Sequence, residues 1–198
     1  RLMAEPLLTG EIPVPVEGSV LPDTYDFERG EPRARVLARM QAAMQNYLAE
    51  AWPKRTSDIA VDNIQDAVTL ASIVEKETGL ASERAEVAGV FVNRLRLGMR
   101  LQTDPTIIYG LGSRFDGNLR RRDLEADGPY NTYTRAGLPP TPICLPGEAS
   151  LQAAVQPATT EALFFVAKGD GSGAHAFSRT LEAHNRAVQA YLRRLREN

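Results

Sequence analysis

A glutamate stands where the sequence otherwise continues the apolar face of a helix. Across residues 62–78, apolar side chains recur at helical spacing. At about 100° per residue, Glu77 lies roughly 20° from Leu70 around the helix axis, between Ile73 and Val74. The spacing therefore predicts a carboxyl group at the centre of a buried helix face.

A buried carboxyl group at this position could act as a general acid. Desolvation disfavours the charged form and raises the pKa of Glu77. Gly79 is expected to follow the helix end, so Glu77 would also lie at the negative end of the helix dipole, which raises its pKa further. An acid that stays protonated near neutral pH can donate a proton to a leaving group. Two alternatives stay open: Glu77 paired with a buried arginine, or Glu75 as the acid or its partner.

The composition is ordinary for a globular chain and shows no charge bias. The 198 residues suit one or two domains, and 43% are apolar and 24% charged. The net charge of −2 gives no reason to expect nucleic acid as a partner. The basic cluster Arg120-Arg121-Arg122 is followed by acidic residues and is expected to be a solvated loop. The longest apolar run, residues 67–74, is too short to span a bilayer.

The residue types that bind metals or form disulfides are scarce. Cys144 is the single cysteine, and it lies in a Pro-rich loop without a visible base, so neither a disulfide nor a nucleophile is expected. His175 and His184 are the two histidines, too few for a structural zinc site. We interpret them as hydrogen-bonding residues, with a role near a ligand left open. We predict that the chain needs no metal and no organic cofactor.

The hydrophobic periodicity predicts an α+β fold of mixed helices and a small antiparallel hairpin, with the helix that ends in Glu77 at its centre. Asp62 is the expected N-cap of that helix, and Ser82 that of the next. Residues 163–167 and 175–178 are the expected strands, joined by a Gly-rich turn. The helices are expected at about residues 32–52, 62–78, 82–98, 148–155 and 181–195.

Residues 98–147 show little periodicity and carry many Tyr, Pro, Asn and Asp side chains. A segment of this length without regular structure is typically either functional or disordered. The apolar run Ile107-Ile108-Tyr109 favours an ordered and functional segment.

A series of short motifs, all in one order, resembles the YceG-like family of endolytic murein transglycosylases. The resemblance covers residues 17 to about 192. The motifs are Leu21-Pro22-Asp23-Thr24-Tyr25, Ala71 to Thr78, Phe91-Val92-Asn93-Arg94-Leu95, Met99 to Thr106, Tyr130-Asn131-Thr132-Tyr133, Gly137-Leu138-Pro139-Pro140, His175-Ala176-Phe177 and His184-Asn185.

The resemblance implies a carbon-oxygen lyase that cuts nascent peptidoglycan glycan strands internally. Such an enzyme is anchored in the bacterial inner membrane, faces the periplasm and works beside peptidoglycan synthases. The family carries an N-terminal transmembrane helix and a LysM-like module, which this chain is expected to lack. Residues 1–16 would be a connector or the tail of that module, and residues 17–198 the catalytic domain.

The family's catalytic glutamate maps to Glu77, the residue that the helical spacing also selects. The resemblance implies that protonated Glu77 protonates the glycosidic oxygen between N-acetylmuramic acid and N-acetylglucosamine. The C6 hydroxyl of the muramic sugar then attacks, giving a 1,6-anhydro end without consuming water. One carboxyl group suffices, whereas ordinary glycosidases use two. Glu75 and Asp104 remain candidates for a second carboxylate.

The polar-aromatic motifs supply the candidates for the glycan groove, because tyrosine offers a flat apolar face and a hydroxyl group. The alternative for each is a role in turn structure. Arg94 is expected to form an ion pair with Glu75 or Glu83. The predicted substrate-binding residues are Tyr130, Asn131, Thr132, Tyr133, Gln102, Thr103 and Asp104, and the supporting residues are Glu75, Asn93 and Arg94.

Two other functions compete with this interpretation. A non-catalytic peptidoglycan-binding or scaffolding domain would need the groove but not a protonated Glu77. A pyridoxal-phosphate lyase would need a lysine that forms a Schiff base. Lys54, Lys76 and Lys168 are the available lysines, and none is expected in a pocket.

Overall fold

The structure, a computed structural model, describes residue 10 and residues 14–197. These residues form an α+β fold with a two-stranded antiparallel sheet, which confirms the predicted fold class. The connector expected over residues 1–16 lies largely outside the described residues, and its boundary at residue 17 stays a prediction. The helices are α1 (Arg33–Ala51), α2 (Ile64–Glu77), α3 (Arg84–Arg96), α4 (Asp104–Leu111), α5 (Arg121–Glu125), α6 (Glu148–Val155) and α7 (Leu181–Glu197), and the strands are β1 (Phe164–Ala167) and β2 (His175–Ser178).

The hydrophobic core is built around α2. Its residues 67–74 are all buried, and it packs against α3, α4 and α6. Leu70 and Ile73 have no exposed surface, and they share one cluster with Phe91 of α3 and Leu151 of α6. Burial of one such side chain stabilises the fold by about 1.5–3 kcal/mol. The position of α2 is therefore fixed by many contacts along its length.

Both ends of α2 differ by one residue from the prediction. Asn63, not Asp62, is the N-cap, and its side-chain oxygen accepts a backbone N–H of the first turn at 2.9 Å. At the other end, Thr78 is extended, with φ −137° and ψ 132°. Thr78 is therefore the C-cap of the helix, without the left-handed glycine cap expected at Gly79. Glu77 is the last helical residue.

α3 starts later than the sequence predicted. Residues Ala81–Glu83 form a 3₁₀ turn, so Ser82 does not cap the helix and α3 begins at Arg84. The turn leaves the Glu83 side chain free to reach β2, where its carboxylate accepts the backbone N–H of His175 at 2.9 Å.

The segment predicted as loop-rich contains two helices, α4 and α5. Most of its residues lie outside helices and strands, as predicted, but the sequence analysis missed these two short helices. The start of α4 carried a signal, because Asp104 and Pro105 are an acid and a proline suited to a first turn. The basic cluster expected to be a loop instead starts α5 at Arg121. Its N-terminus is held by the Arg120 backbone N–H, which donates to the Asp123 carboxylate at 2.9 Å.

The two strands pair as predicted, with Phe165 opposite Phe177 and Ala167 opposite His175. The ring of Phe165 meets Phe91 of α3 edge-on, with the ring centroids 5.8 Å apart. α7 packs on both strands. The hairpin is thus fixed between α3 and α7.

α1 adds Met44 and Ala51 to the buried core. The hydroxyl group of Tyr47 donates to the Glu148 carbonyl at 3.2 Å and so ties α1 to α6. In the part of the chain that the structure describes, no helix combines the length and the apolar character needed to cross a bilayer.

Gly89 of α3 is the point where the following chain crosses the helix. The Ala158 N–H donates to the Ala85 carbonyl at 2.8 Å, which holds the crossing segment against α3. A Cβ added at Gly89 would lie 2.5 Å from the Ala158 carbonyl oxygen and 2.8 Å from the Thr160 methyl group. Neither the backbone carbonyl nor the packed methyl group can move without shifting the segment.

We expect Gly89→Ala to lower the free energy of unfolding by about 1–3 kcal/mol, because the added methyl overpacks this crossing. Helix propensity partly offsets this loss, because it favours Ala over Gly within a helix by about 0.5–1 kcal/mol. Urea unfolding measures the difference. Gly128→Ala, at a glycine with open space around it, is the matched control. A Gly89 variant as stable as the parent would contradict the close crossing.

Candidate active site

The end of α2 opens into a cleft of about 490 Å³. Glu77 lines it together with side chains from α3, from the loop before α4, and from the β1 and α7 layer. Polar side chains line the α4 side, and an aromatic and aliphatic wall lines the other side. The polar residues are Glu77, Arg94, Gln102, Asp104 and Tyr133.

The Glu77 carboxyl group has one hydrogen-bond partner among the described residues. The Thr103 hydroxyl donates to its Oε1. No arginine, lysine or histidine of the described residues forms an ion pair with Glu77, so the alternative of a buried Glu–Arg pair does not hold. The carboxyl group is therefore desolvated without a countercharge in contact.

Burial is the largest influence on this carboxyl group and raises the pKa of Glu77 above its ordinary value of 4.5. The Thr103 hydrogen bond lowers the pKa, and the negative charge of Asp104 raises it. His175 and Arg94 lower it from a distance. The net direction is upward, as predicted from the helix face, and Glu77 retains its proton above the pH at which an exposed glutamate ionises.

Glu75 performs a different task. Its Oε2 accepts the Gly147 backbone N–H at 3.1 Å and the Ser150 hydroxyl at 2.6 Å. These groups form the first turn of α6, where a carboxylate is favoured by the helix dipole. Arg84 lies 3.7 Å from the other oxygen. Glu75 does not line the cleft and ties α2 to α6.

Arg94 is buried and satisfies backbone carbonyls instead of a carboxylate. Its Nε donates to Leu163 at 2.6 Å, and its Nη1 donates to Arg100 at 3.2 Å and Leu101 at 2.9 Å. Its guanidinium carbon lies 5.1 Å from the centre of the Phe164 ring. Arg94 thus connects α3 with the start of β1 and with the loop before α4.

The predicted ion pair of Arg94 with Glu75 or Glu83 is wrong. Glu83 instead pairs with His175, with Nδ1 2.7 Å from the carboxylate. Desolvation lowers the pKa of the Arg94 guanidinium, and the Glu77 carboxylate counteracts this.

Asn93 also supports the fold, because its amide donates to the Thr160 carbonyl at 2.8 Å and the Ala162 carbonyl at 3.1 Å.

The loop before α4 brings polar groups to the cleft through an unusual backbone conformation. Gln102 has a φ of 52°, in the left-handed region that a residue with a side chain rarely adopts. Such strained residues cluster at functional sites. Gln102 and Asp104 are exposed and line the cleft, whereas Thr103 between them is buried.

Tyr133 is the member of the Tyr-Asn-Thr-Tyr motif that lines the cleft. Its hydroxyl donates to the Asp104 carboxylate at 2.6 Å. Burial and the Asp104 carboxylate raise the pKa of the Tyr133 phenol, so it remains a neutral donor. The pair presents a phenol and a carboxylate close to Glu77.

The other three residues of this motif do not line the cleft. The Tyr130 hydroxyl lies 2.7 Å from the Thr141 hydroxyl, and the Asn131 amide donates to three backbone carbonyls near α5. Thr132 is buried and bonds to other threonines. Their predicted role in glycan binding stays a prediction, and the contacts observed are those of turn structure.

The apolar wall of the cleft was absent from the predicted site. It includes Phe164, Phe165, Leu181, His184 and Val188. The His184 ring stacks on Phe164 with ring centroids 5.3 Å apart. Burial and the charge of Arg94 lower the pKa of His184, so its ring is neutral. The sequence contains one indication of this wall, the helical spacing of the apolar α7 residues. Such spacing indicates a buried helix face, but it does not show whether that face packs in the core or lines a cleft.

The residues of the rival chemistries lie elsewhere. Burial, with Glu75 nearby, raises the pKa of the Cys144 thiol to about 12, so it is not a nucleophile at neutral pH. Lys54, Lys76 and Lys168 do not line the cleft. Within the described residues, no group of three or more His, Cys, Asp and Glu side chains could hold a metal ion.

The chain matches the YceG-like family over residues 3–190. A Bacillus subtilis (strain 168) protein named endolytic murein transglycosylase is 36% identical over 178 residues, which cover 90% of this chain and 48% of that protein. A Streptococcus pneumoniae (strain D39) protein of the same name is 29% identical over 183 residues, covering 89% of this chain and 32% of its own length. The chain thus spans less than half the length of these relatives.

A solved structure shows the same fold. The crystal structure of a yceG-like protein from Listeria monocytogenes superimposes with a TM-score of 0.73 at 38% sequence identity. The match covers 85% of this chain and 54% of that one.

We expect Glu77→Gln to unfold at higher urea concentration than the parent at about pH 7.5, but not at about pH 4. A carboxyl group whose pKa is raised on folding keeps a proton that the unfolded chain releases. Stability therefore falls as the pH rises from the ordinary value of 4.5 through the raised folded value. Glutamine carries no charge and can still accept from Thr103. Equal stability of the two proteins at both pH values would contradict the raised pKa.

We expect Glu75→Ala to lower the free energy of unfolding by about 1–2 kcal/mol, the usual effect of losing a helix cap. The change leaves the Gly147 N–H and the Ser150 hydroxyl without their acceptor. Chemical denaturation measures it. Glu161→Ala, which removes an exposed partner of Arg179, serves as the control and should change stability by less than about 1 kcal/mol. Two variants of equal stability would show that Glu75 does not hold α6.

Proposed function

Because the chain belongs to the YceG-like family, we propose that it is a lytic transglycosylase that cuts the glycan strands of peptidoglycan internally. The observation that carries the proposal is the Glu77 carboxyl group, desolvated at the edge of a cleft and without a cationic partner in contact. The activity named for the two relatives supports it.

Protonated Glu77 donates its proton to the glycosidic oxygen between C1 of N-acetylmuramic acid and the adjoining N-acetylglucosamine. The C1–O bond breaks, and positive charge develops at C1. The C6 hydroxyl oxygen of the same muramic sugar bonds to C1, and its proton returns to the Glu77 carboxylate. The products are a 1,6-anhydromuramic end and a free N-acetylglucosamine hydroxyl group. No water is consumed, so no second carboxylate is needed to activate one.

The surroundings of Glu77 suit both proton transfers. Desolvation favours the protonated acid before bond cleavage. The Thr103 hydrogen bond and the positive charge of Arg94 favour the carboxylate that exists afterwards. Opposed influences of this kind bring the pKa of an acid–base group toward the operating pH.

The glycan strand lies in the cleft between its polar side and its apolar wall. Gln102, Asp104 and Tyr133 offer hydrogen bonds to hydroxyl and acetamido groups. Phe164 and His184 belong to the apolar wall, against which the apolar face of a sugar ring can pack. Asn131, outside the cleft, holds Tyr133 in position, because its side-chain oxygen accepts the Tyr133 backbone N–H at 2.8 Å. Asp104 already accepts from Tyr133, and it acts as a charged neighbour rather than a nucleophile.

The domain acts outside the cytoplasmic membrane, on the periplasmic face of the bacterial inner membrane, because its substrate lies there. An anchor in the intact protein would keep it beside nascent strands and the synthases that make them. We propose this activity for the intact protein as well, because the chain spans less than half the length of these relatives.

We expect this chain to release fragments with 1,6-anhydromuramic ends from purified peptidoglycan, and Glu77→Gln to release none. Mass spectrometry of the released glycans identifies the ends. Glu125→Gln, at an exposed glutamate on α5, is the matched control and should behave as the parent.

Three other outcomes would contradict parts of the proposal. Reducing ends from the parent would mean hydrolysis and contradict the proposal. Anhydro ends from both the parent and Glu77→Gln would remove Glu77 from the mechanism. Glycan binding without release by either protein would indicate a peptidoglycan-binding domain.

A further inference from the structure

The N-cap residue of α4 does not cap its own helix. Thr103 is in the N-cap position, with φ −115° and ψ 121°, but its side chain bonds to no backbone N–H of the first turn. A threonine in this position ordinarily accepts such an N–H, which stabilises the helix. Here the hydroxyl turns away and donates to Oε1 of Glu77. The α4 helix therefore has no side-chain cap from Thr103, and Glu77 has a fixed hydrogen-bond donor.

The backbone of Thr103 is held by two other buried threonines. Its N–H donates to the Thr132 hydroxyl oxygen at 3.0 Å, and its carbonyl accepts the Thr106 hydroxyl at 2.8 Å. The Thr106 and Thr132 hydroxyl oxygens are 2.9 Å apart. All three residues are 3% exposed or less.

Proton counting fixes the direction of each bond, since a hydroxyl group has one proton to donate. Thr106 gives its proton to the Thr103 carbonyl, so Thr132 must donate to Thr106. Thr132 in turn accepts the Thr103 N–H, which closes a ring of three hydrogen bonds. The reverse direction would need a bond of 3.5 Å from Thr132 to the Thr103 carbonyl and is weaker. The ring leaves the Thr103 hydroxyl proton for Glu77.

The two oxygens of Glu77 are therefore unequal. Oε1 accepts from Thr103, while Oε2 has no hydrogen-bond partner among the described residues, and Glu77 lines the cleft. Thr103 itself is 2% exposed and does not line the cleft. Contact between Thr103 and a glycan, which the sequence suggested, has no support in this geometry.

We propose that Thr103 is a positioning residue that fixes the Glu77 carboxyl group through Oε1, so that Oε2 carries the proton and faces the substrate. The inference rests on the proposed function of Glu77. It also assigns a task to Thr132 and Thr106, which hold the backbone of the donor and touch neither Glu77 nor the cleft.

Several charged groups act on Glu77, and the test must separate Thr103 from them. Asp104 of α4 raises the pKa of Glu77, whereas His175 of β2 and Arg94 of α3 lower it. The neutral Tyr133 phenol lines the same cleft. Thr103→Val removes one hydroxyl group and changes none of these charges. Thr103→Ser keeps the hydroxyl group. Thr69→Val is the matched control, because Thr69 is equally buried on α2 and its hydroxyl bonds only to the Gln65 carbonyl among the described residues.

The direct measurement is a ¹³C NMR titration of the Glu77 carboxyl carbon, assigned by its loss in Glu77→Gln. A donor to the carboxylate favours the ionised form, so its removal should raise the pH at which Glu77 titrates. We expect that rise in Thr103→Val and in Thr103→Ala, and parental behaviour in Thr103→Ser and Thr69→Val. Two hydroxyl-free variants of different size guard against a folding defect in either. Titration of both at the parental pH would overturn the proposal.

Glycan release measures the consequence for the reaction. We expect Thr103→Val to lose about 10-fold to 100-fold in kcat, the range for losing a hydrogen bond to a charged group, with KM unchanged. The high-pH limb of its pH–rate profile should move to higher pH, in the same direction as the NMR titration of Glu77. A raised KM with an unmoved limb would make Thr103 a substrate contact and contradict the proposal. The titration needs no turnover, so a parent chain without activity would sink the proposed function and still leave the hydrogen bond tested.

Discussion

The candidate site depends on one unfavourable placement, a carboxyl group at the end of α2, whose residues 67–74 are all buried. α2 is held by apolar contacts over residues 67–74, so Glu77 cannot move into solvent without disturbing the core. Desolvation then acts on the carboxyl group, and the groups around it limit that effect without cancelling it. Each of them reaches Glu77 from a different element: Thr103 from the start of α4, Arg94 from α3 and His175 from β2.

Two glutamates of one helix illustrate how environment assigns a role. Glu75 accepts from an N–H and a hydroxyl group at the start of α6, lies near Arg84 at the start of α3, and has a structural role. Glu77, two residues later, finds one hydroxyl and an open cleft. Their sequence context is nearly the same. The difference comes from what α6 and α4 present to each side of α2, and both helices are distant in the chain.

The sequence allowed the main elements to be predicted because they depend on local spacing. The apolar period of α2 located Glu77 on a buried face, and the glycine-rich turn between two apolar runs indicated the hairpin. The two helices within residues 98–147 could not be predicted from spacing, because α4 and α5 are short and are marked only by single residues such as Pro105. The partners of Arg94 could not be predicted either. Its donors go to backbone carbonyls, which every residue has and no pattern marks.

The cleft wall shows a further limit of pattern reading. Phe164 and Val188 follow the spacing of core residues, and only the packing of α7 on the hairpin leaves them facing Glu77. The structure also separates members of the polar motif that the sequence could not distinguish. The Asn131 amide donates to three backbone carbonyls, whereas Tyr133 lines the cleft.

In the proposed reaction one carboxyl group serves as both acid and base, while the substrate's own C6 hydroxyl group acts as nucleophile. Digestion of peptidoglycan in water enriched in ¹⁸O, with mass spectrometry of the newly formed ends, distinguishes this nucleophile from water. We expect anhydromuramic ends that contain no ¹⁸O, because no water enters the reaction. Muramic ends that carry ¹⁸O at C1 would show that water is the nucleophile and would contradict the one-carboxylate mechanism.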